Sequence, residues 1–187
     1  MVQVDEADGL ALVIAENSRL AQHLNRPQFQ GIPELIRSAP AVFVTGAGRS
    51  GLALKMAAMR LMHLGITVHV VGEVTTPAIK SGDLLIAASG SGTTPGVVRA
   101  IEKSREVEAN VLLLTTAPES AAAKLATHVI TVPAAQKLDT GSARSEQYAG
   151  SLFEQAVLLI TDGLFSVLWR SDGSSASRLW DRHANLE

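Results

Sequence analysis

At 187 residues without a cysteine, the chain has room for one sizeable core and no means of forming a disulfide or a thiolate metal site. Lys and Arg number 16 against 18 Asp and Glu, a net charge of −2 that argues against nucleic acid or another polyanion as partner. Hydrophobic residues make up 47% and aromatic ones 4%, so Ala, Val, Leu and Ile fill the interior, and a mean hydropathy of +0.21 points to apolar surface buried between subunits.

Leu10, Val13, Ile14, Leu20 and Leu24 recur at helical spacing and "NRPQ" ends the run, which predicts an amphipathic helix over residues 10–25. Acidic residues precede that helix and Glu16 and Asn17 interrupt its apolar stretch, unlike a signal peptide. No run reaches the roughly 18 to 20 apolar residues of a membrane span, so a cytoplasmic location is expected, with no membrane partner. A loop containing Pro33 and Pro40 follows, and then "AVFVTG" reads as a buried strand. "SGLALKMAAMRLMHLG" is a helix closing on Gly65. "TVHVVG" and "DLLIAAS" are strands, and "TPGVVRAIEKSREVE" is a helix opened by a threonine and a proline. "NVLLLTT" is a strand, "SAAAKLA" a short helix and "HVITVP" a fifth strand. A long apolar helix spans 150–169 and a partly helical tail, "SASRLWDRHANLE", ends the chain.

Five buried strands alternating with helices predict an α/β three-layer sandwich with a parallel sheet in the order 2-1-3-4-5. In that order the topological switch lies between the first and third strands. Their carboxyl ends carry "TGAGRSG" (Thr45 to Gly51) and "SGSGTT" (Ser89 to Thr94), so the two glycine- and hydroxyl-rich loops meet in one crevice. Each loop runs into a helix N-terminus, where unpaired N–H groups and the helix dipole favour an anion. Ser89, Ser91, Thr93 and Thr94 add hydroxyl donors without charge, which suits a phosphate on a metabolite that must bind and leave. "GAGRSG" also matches the dinucleotide pattern, and Glu73 stands near the position of its acidic residue, yet a nicotinamide site has no use for the second hydroxyl loop. No P-loop, metal-ligand spacing or nucleophile elbow occurs, so neither metal nor cofactor is expected.

Among titratable groups, Glu154 opens the apolar helix, as a macrodipole partner or as a base for proton transfer. His63 ends the first crossover helix, as a C-terminal cation, a core histidine or a proton carrier. His183 lies in a tail with no core of its own, so the tail docks on something or is disordered.

The ordered set "GAGRSG", "AMRLMHLG", "VGEVTTPAI", "GDLLIAASGSG", "SLFEQ" and "RHANLE" resembles the sugar isomerase (SIS) domain family over essentially the full chain. The resemblance implies a single SIS domain over 1–187 with a five-stranded flavodoxin-like sheet. It also implies an isomerase converting D-arabino-hex-3-ulose 6-phosphate to fructose 6-phosphate, the second step of formaldehyde fixation in the ribulose monophosphate route. A non-catalytic phosphosugar sensor, or an isomerase of another sugar phosphate, is the alternative. The family's phosphate-binding hydroxyls map to Ser89, Ser91 and Thr94, while Thr93 stands where a Glu is common. The resemblance further implies that backbone amides at Gly48 to Ser50 grip the phosphate or sugar oxygens and that Glu154 is the family's helix-start base. On it, Glu73 is a sugar-hydroxyl ligand or a loop acid, and Arg49 an anion partner or an interface residue. His183 or His63 moves protons between the oxygens, His183 from a neighbouring subunit. The family forms dimers or tetramers with shared sites, and a homotetramer is expected, with the helix at about 10–25 and the tail at about 174–187 in its contacts.

Overall fold

The computed structural model describes residues 6–136 and 145–186; Glu187, the end of the tail, and the first five residues lie outside the described residues. Five short apolar runs become β1 (Val42–Gly46), β2 (Val68–Val70), β3 (Leu84–Ala88), β4 (Asn110–Thr115) and β5 (His128–Thr131). They pair in parallel in the order β2-β1-β3-β4-β5, as expected from the sequence. Residues 84–88 of β3 are buried throughout, because helices cover both faces of the sheet.

The alternation of side chains along each strand divides the core in two. Val42, Val44, Leu84, Ile86, Leu112 and Leu114 face α1 (Glu6–His23), α2 (Ile32–Ser38), α3 (Gly48–His63) and α6 (Ser151–Asp172). Phe43, Leu85, Ala87, Val111 and Leu113 face α4 (Pro95–Glu106) and α5 (Ala121–Leu125). Each Leu or Ile so enclosed stabilises the fold by about 1.5–3 kcal/mol over leaving it in water. The tail forms α7 (Ala176–Trp180).

Three expectations need correction. The first helix starts at Glu6, one turn early, and ends at His23. The stretch read as a loop around Pro33 contains α2: Pro33 sits in its first turn, where the missing N–H costs nothing, and Ile32 and Ile36 are buried. Finally, α6 is long and apolar enough to cross a membrane, with 22 residues and a window of mean hydropathy 1.4. It is a core helix here, with Leu152, Phe153, Ala156, Val157, Leu164 and Leu168 buried.

Candidate active site

The "GAGRSG" motif works first as a steric joint. Gly46 at the end of β1 and Gly51 in the first turn of α3 stand back to back, and a Cβ on Gly46 would lie 3.0 Å from the Gly51 nitrogen. Between them Gly48 takes a left-handed conformation, φ +58°, that turns the chain into α3. The helix therefore starts hard against the strand, with Gly48 and Ser50 facing the second loop.

That second loop folds on its own hydroxyls. Ser89, which is buried, lies 2.9 Å from Thr94 through their hydroxyl oxygens and accepts from the Gly92 N–H at 3.1 Å. Ser91 accepts from the Thr93 N–H and hydroxyl at 3.3 and 3.0 Å. From β4, Thr115 and Thr116 donate their hydroxyls to the Gly90 carbonyl at 3.0 and 2.9 Å. The loop is thus pinned from below while its open side faces a cleft.

The two loops and the start of α6 enclose about 270 Å³, walled by Phe153 and edged by Ser50, Ser89, Ser91, Thr94 and Glu154. Three helices, α3, α4 and α6, begin at this cleft, so three sets of first-turn N–H groups and three dipoles favour an anion in it. Glu154 is the carboxylate that lines it. Its Oε2 is 2.8 Å from Nε of Arg49, with 24% of the Glu154 side chain and 64% of the Arg49 side chain exposed. Arg49, expected on the anion or at an interface, pairs with this carboxylate within the same copy. A larger groove of about 510 Å³ between α1, α2 and α6 is lined almost wholly by apolar side chains, so it lacks the donors an anion needs.

Four expected residues are not brought into this cleft. Glu73 pairs with Lys55 at 2.6 Å on the surface, and the Lys55 ammonium lowers its pKa. Thr93 is exposed and turned back on Ser91. His63 ends α3, so at 1.5 Å per residue it is about 22 Å from Gly48 within the same copy. His183 goes with it. The tail docks on the end of α3, where Arg182 donates to the His63 carbonyl at 3.1 Å. The His183 ring stacks between His63 and Trp180, with centroids 5.1 and 4.6 Å away. The tail expected on a neighbouring subunit thus has a seat on its own.

Burial is the main cause holding the His63 pKa below its ordinary value, helped by the charges of His183 and Arg60. An unfolded chain then binds a proton at His63 that the folded chain refuses. Stability is full above about pH 6.5 and falls as pH drops from there to the depressed folded value. Melting temperatures between pH 7.5 and 5.5 should decline for the wild type and flatten for His63→Gln. An unchanged slope in the variant would remove His63 from that dependence.

Two further features escaped the sequence reading. Thr115 and Thr116, which hold the Ser89–Thr94 loop, are a hydroxyl doublet at the end of "NVLLLTT", a signal of the same kind as the loop itself. Glu16 is only 3% exposed and accepts from Ser145, Glu146 and Gln147 just before α6. Its place on the stripe Glu16, Leu20, Leu24 was the signal, since a charge there must find donors.

Residues 35–161 match the SIS domain family. A 3-hexulose-6-phosphate isomerase of Mycobacterium gastri is 49% identical over 199 residues, covering all of this chain and all of its own length. One from Bacillus subtilis is 37% identical over 179 residues, 95% of this chain and 97% of its own. Among solved structures, a Methanococcus jannaschii protein with an inferred molecular function of 3-hexulose-6-phosphate isomerase superposes with a TM-score of 0.81 at 27% identity. That match covers 96% of this chain and 99% of the other.

Proposed function

Because the chain belongs to the SIS domain family, we propose that it is a sugar-phosphate isomerase of the 6-phospho-3-hexuloisomerase type, interconverting D-arabino-hex-3-ulose 6-phosphate and fructose 6-phosphate. The observation that carries this is the Glu154 carboxylate standing in the same cleft as the hydroxyls of Ser89, Ser91 and Thr94. A phosphate held by those hydroxyls and the first-turn N–H groups leaves the other end of the sugar to Glu154.

Moving the carbonyl from C3 to C2 takes the proton from C2, adds one to O3, and passes through a 2,3-enediol. The proton of O2 then leaves as C3 receives one. Glu154 serves both carbons, accepting the C2 proton and returning it at C3, and this chemistry needs neither metal nor redox cofactor. Arg49, 2.8 Å from that carboxylate, is a cation beside the carbons on which negative charge develops. Gly48 and Ser50 complete the grip on the substrate.

The oxygen-side proton carrier is a histidine of a second copy. α3 exposes Leu52, Met56 and Met59 in a stripe centred near its middle. A two-fold contact along that stripe, with the two helices antiparallel, sets the His63–His183 pair of one copy against the Gly48 end of the other. A separate apolar face, with Leu10 and Ile14 on α1 and Leu159 and Val167 on α6, supplies a second contact. Two isologous contacts make a homotetramer with shared sites, and we place it in the cytoplasm, where their charge confines phosphorylated sugars.

The test is a coupled assay: ribulose 5-phosphate and formaldehyde condensed by a hexulose-phosphate synthase, this protein added with EDTA, and fructose 6-phosphate followed. Metal-independent product is the expected result. No product, while fructose 6-phosphate still raises the melting temperature, would leave a phosphosugar-binding sensor or an isomerase of another sugar.

A further inference from the structure

We infer that Glu16, on α1, is a positioning residue that fixes the start of α6 and through it the Glu154 carboxylate. This rests on the isomerase reading above. The Glu16 carboxylate is 3% exposed, and its Oε2 accepts from the Ser145 hydroxyl at 2.6 Å and from the Gln147 side-chain amide at 2.9 Å. Its Oε1 accepts from the Glu146 N–H at 2.8 Å. Three donors from three consecutive residues converge on one buried charge, while Arg19 comes no nearer than 3.9 Å. A second strand of the same net runs from Asn17, which donates to Gln155 at 2.6 Å, and from Gln155, which donates to Gln147 at 2.6 Å.

Segment 145–150 needs such an anchor. Ala149 has φ +51°, a left-handed conformation that a residue with a Cβ rarely holds unless its surroundings dictate it. Tyr148 accepts from the Ser151 N–H and hydroxyl, and Gly150 caps α6, so the turn leads directly into the helix. Glu154 follows at once, its N–H bonded to the Gly150 carbonyl at 3.0 Å. The anchoring helix lies outside the matched region 35–161, so α1 brings to the cleft a support from beyond the SIS match.

Most of the phosphate grip comes from α3, α4 and the Ser89–Thr94 loop, which lie apart from the Glu16 hydrogen bonds, while α6 adds only its own first-turn N–H groups. Loss of the anchor therefore separates rate from binding. Glu16→Met keeps the length and removes the acceptors; it should lower kcat by about 100-fold through misplacement of the base. KM should stay within about threefold, and fructose 6-phosphate should still raise the melting temperature. Glu16→Gln keeps an acceptor for the Glu146 N–H and should regain most of the rate. A folded Glu16→Met that binds fructose 6-phosphate and keeps kcat within about twofold would overturn the inference. Should Glu16→Met fail to fold, Ser145→Ala with Gln147→Ala removes two of the donors from the other side. The same fall in kcat is expected, and an unchanged kcat overturns it. Glu154→Gln measured alongside separates the two readings. If that variant is inactive while the anchor variants are not, only the positioning role falls; if it is active, Glu154 is not the base and both fall.

Discussion

Glu154→Gln is expected to lower kcat by about 100- to 10,000-fold, the usual worth of a general base. Glutamine has the same size and reaches the same wall of the cleft, but it cannot accept a carbon-bound proton. Its effect on stability should be small. The ion pair with Arg49 leaves 64% and 24% of the two side chains exposed, so solvent screens it and its loss costs at most about 1 kcal/mol. For a chain of this length that is a fall in melting temperature of about 2–4 °C. KM should move only a few-fold, because the proposed phosphate site, at the hydroxyls of Ser89, Ser91 and Thr94, does not depend on Glu154. Solvent exchange gives a second readout. In D₂O the proton held by Glu154 exchanges with solvent, so the wild type should incorporate deuterium at C3 of fructose 6-phosphate and at C2 of the hexulose phosphate, and the variant should not. Retention of more than about a tenth of wild-type kcat, or of deuterium incorporation, would assign the carbon proton to another group.

The path to that carboxylate was largely open in the sequence, for reasons that differ residue by residue. "AVFVTG" and "DLLIAA" are short, apolar and closed by glycines, so their place as neighbouring central strands followed from crossover handedness, and with it the meeting of their loops. Glu154 was legible only as a candidate, since a carboxylate in the first turn of an otherwise apolar helix is a macrodipole partner or a base; its place on the cleft depends on how α6 packs. α2 was hidden because Pro33 reads equally as a loop breaker and as a first-turn residue; only the burial of Ile32 and Ile36 decides. Pairings across distance were closed to any local pattern. Lys55 meets Glu73 across 18 residues, Glu16 meets Ser145 across 129, and Arg182 reaches the His63 carbonyl across 119. Such contacts depend on where helices and tail come to rest. The sequence showed only that Glu16 sat on an apolar stripe and that His183 lacked a core.

The joint between β1 and α3 yields the other large effect, and it sets two principles against each other. Gly51→Ala places a better helix former in the first turn of α3, worth about 1 kcal/mol by propensity alone. Yet the added Cβ would overlap the Gly46 carbonyl oxygen and lie 2.9 Å from its carbon. Both are backbone atoms, so no rotamer relieves the clash, and overpacking of this kind costs about 3 kcal/mol or more. The net loss of about 2 kcal/mol is a fall of about 4–8 °C in melting temperature. α3 can escape only by lifting its first turn off the strand, which carries Gly48, Ser50 and Arg49 away from the Ser89–Thr94 loop and from Glu154. Protection by fructose 6-phosphate should therefore weaken along with stability, whereas Glu154→Gln keeps it. Gly9→Ala, in the first turn of α1, is the matched control, because a Cβ there meets nothing within 4 Å. It gains the same propensity without the clash, so its melting temperature should rise by about 2–4 °C. If Gly51→Ala melts as high as Gly9→Ala, the strand and helix do not approach closely at this point. "GAGRSG" would then be a ligand loop alone and not a joint that holds the cleft open.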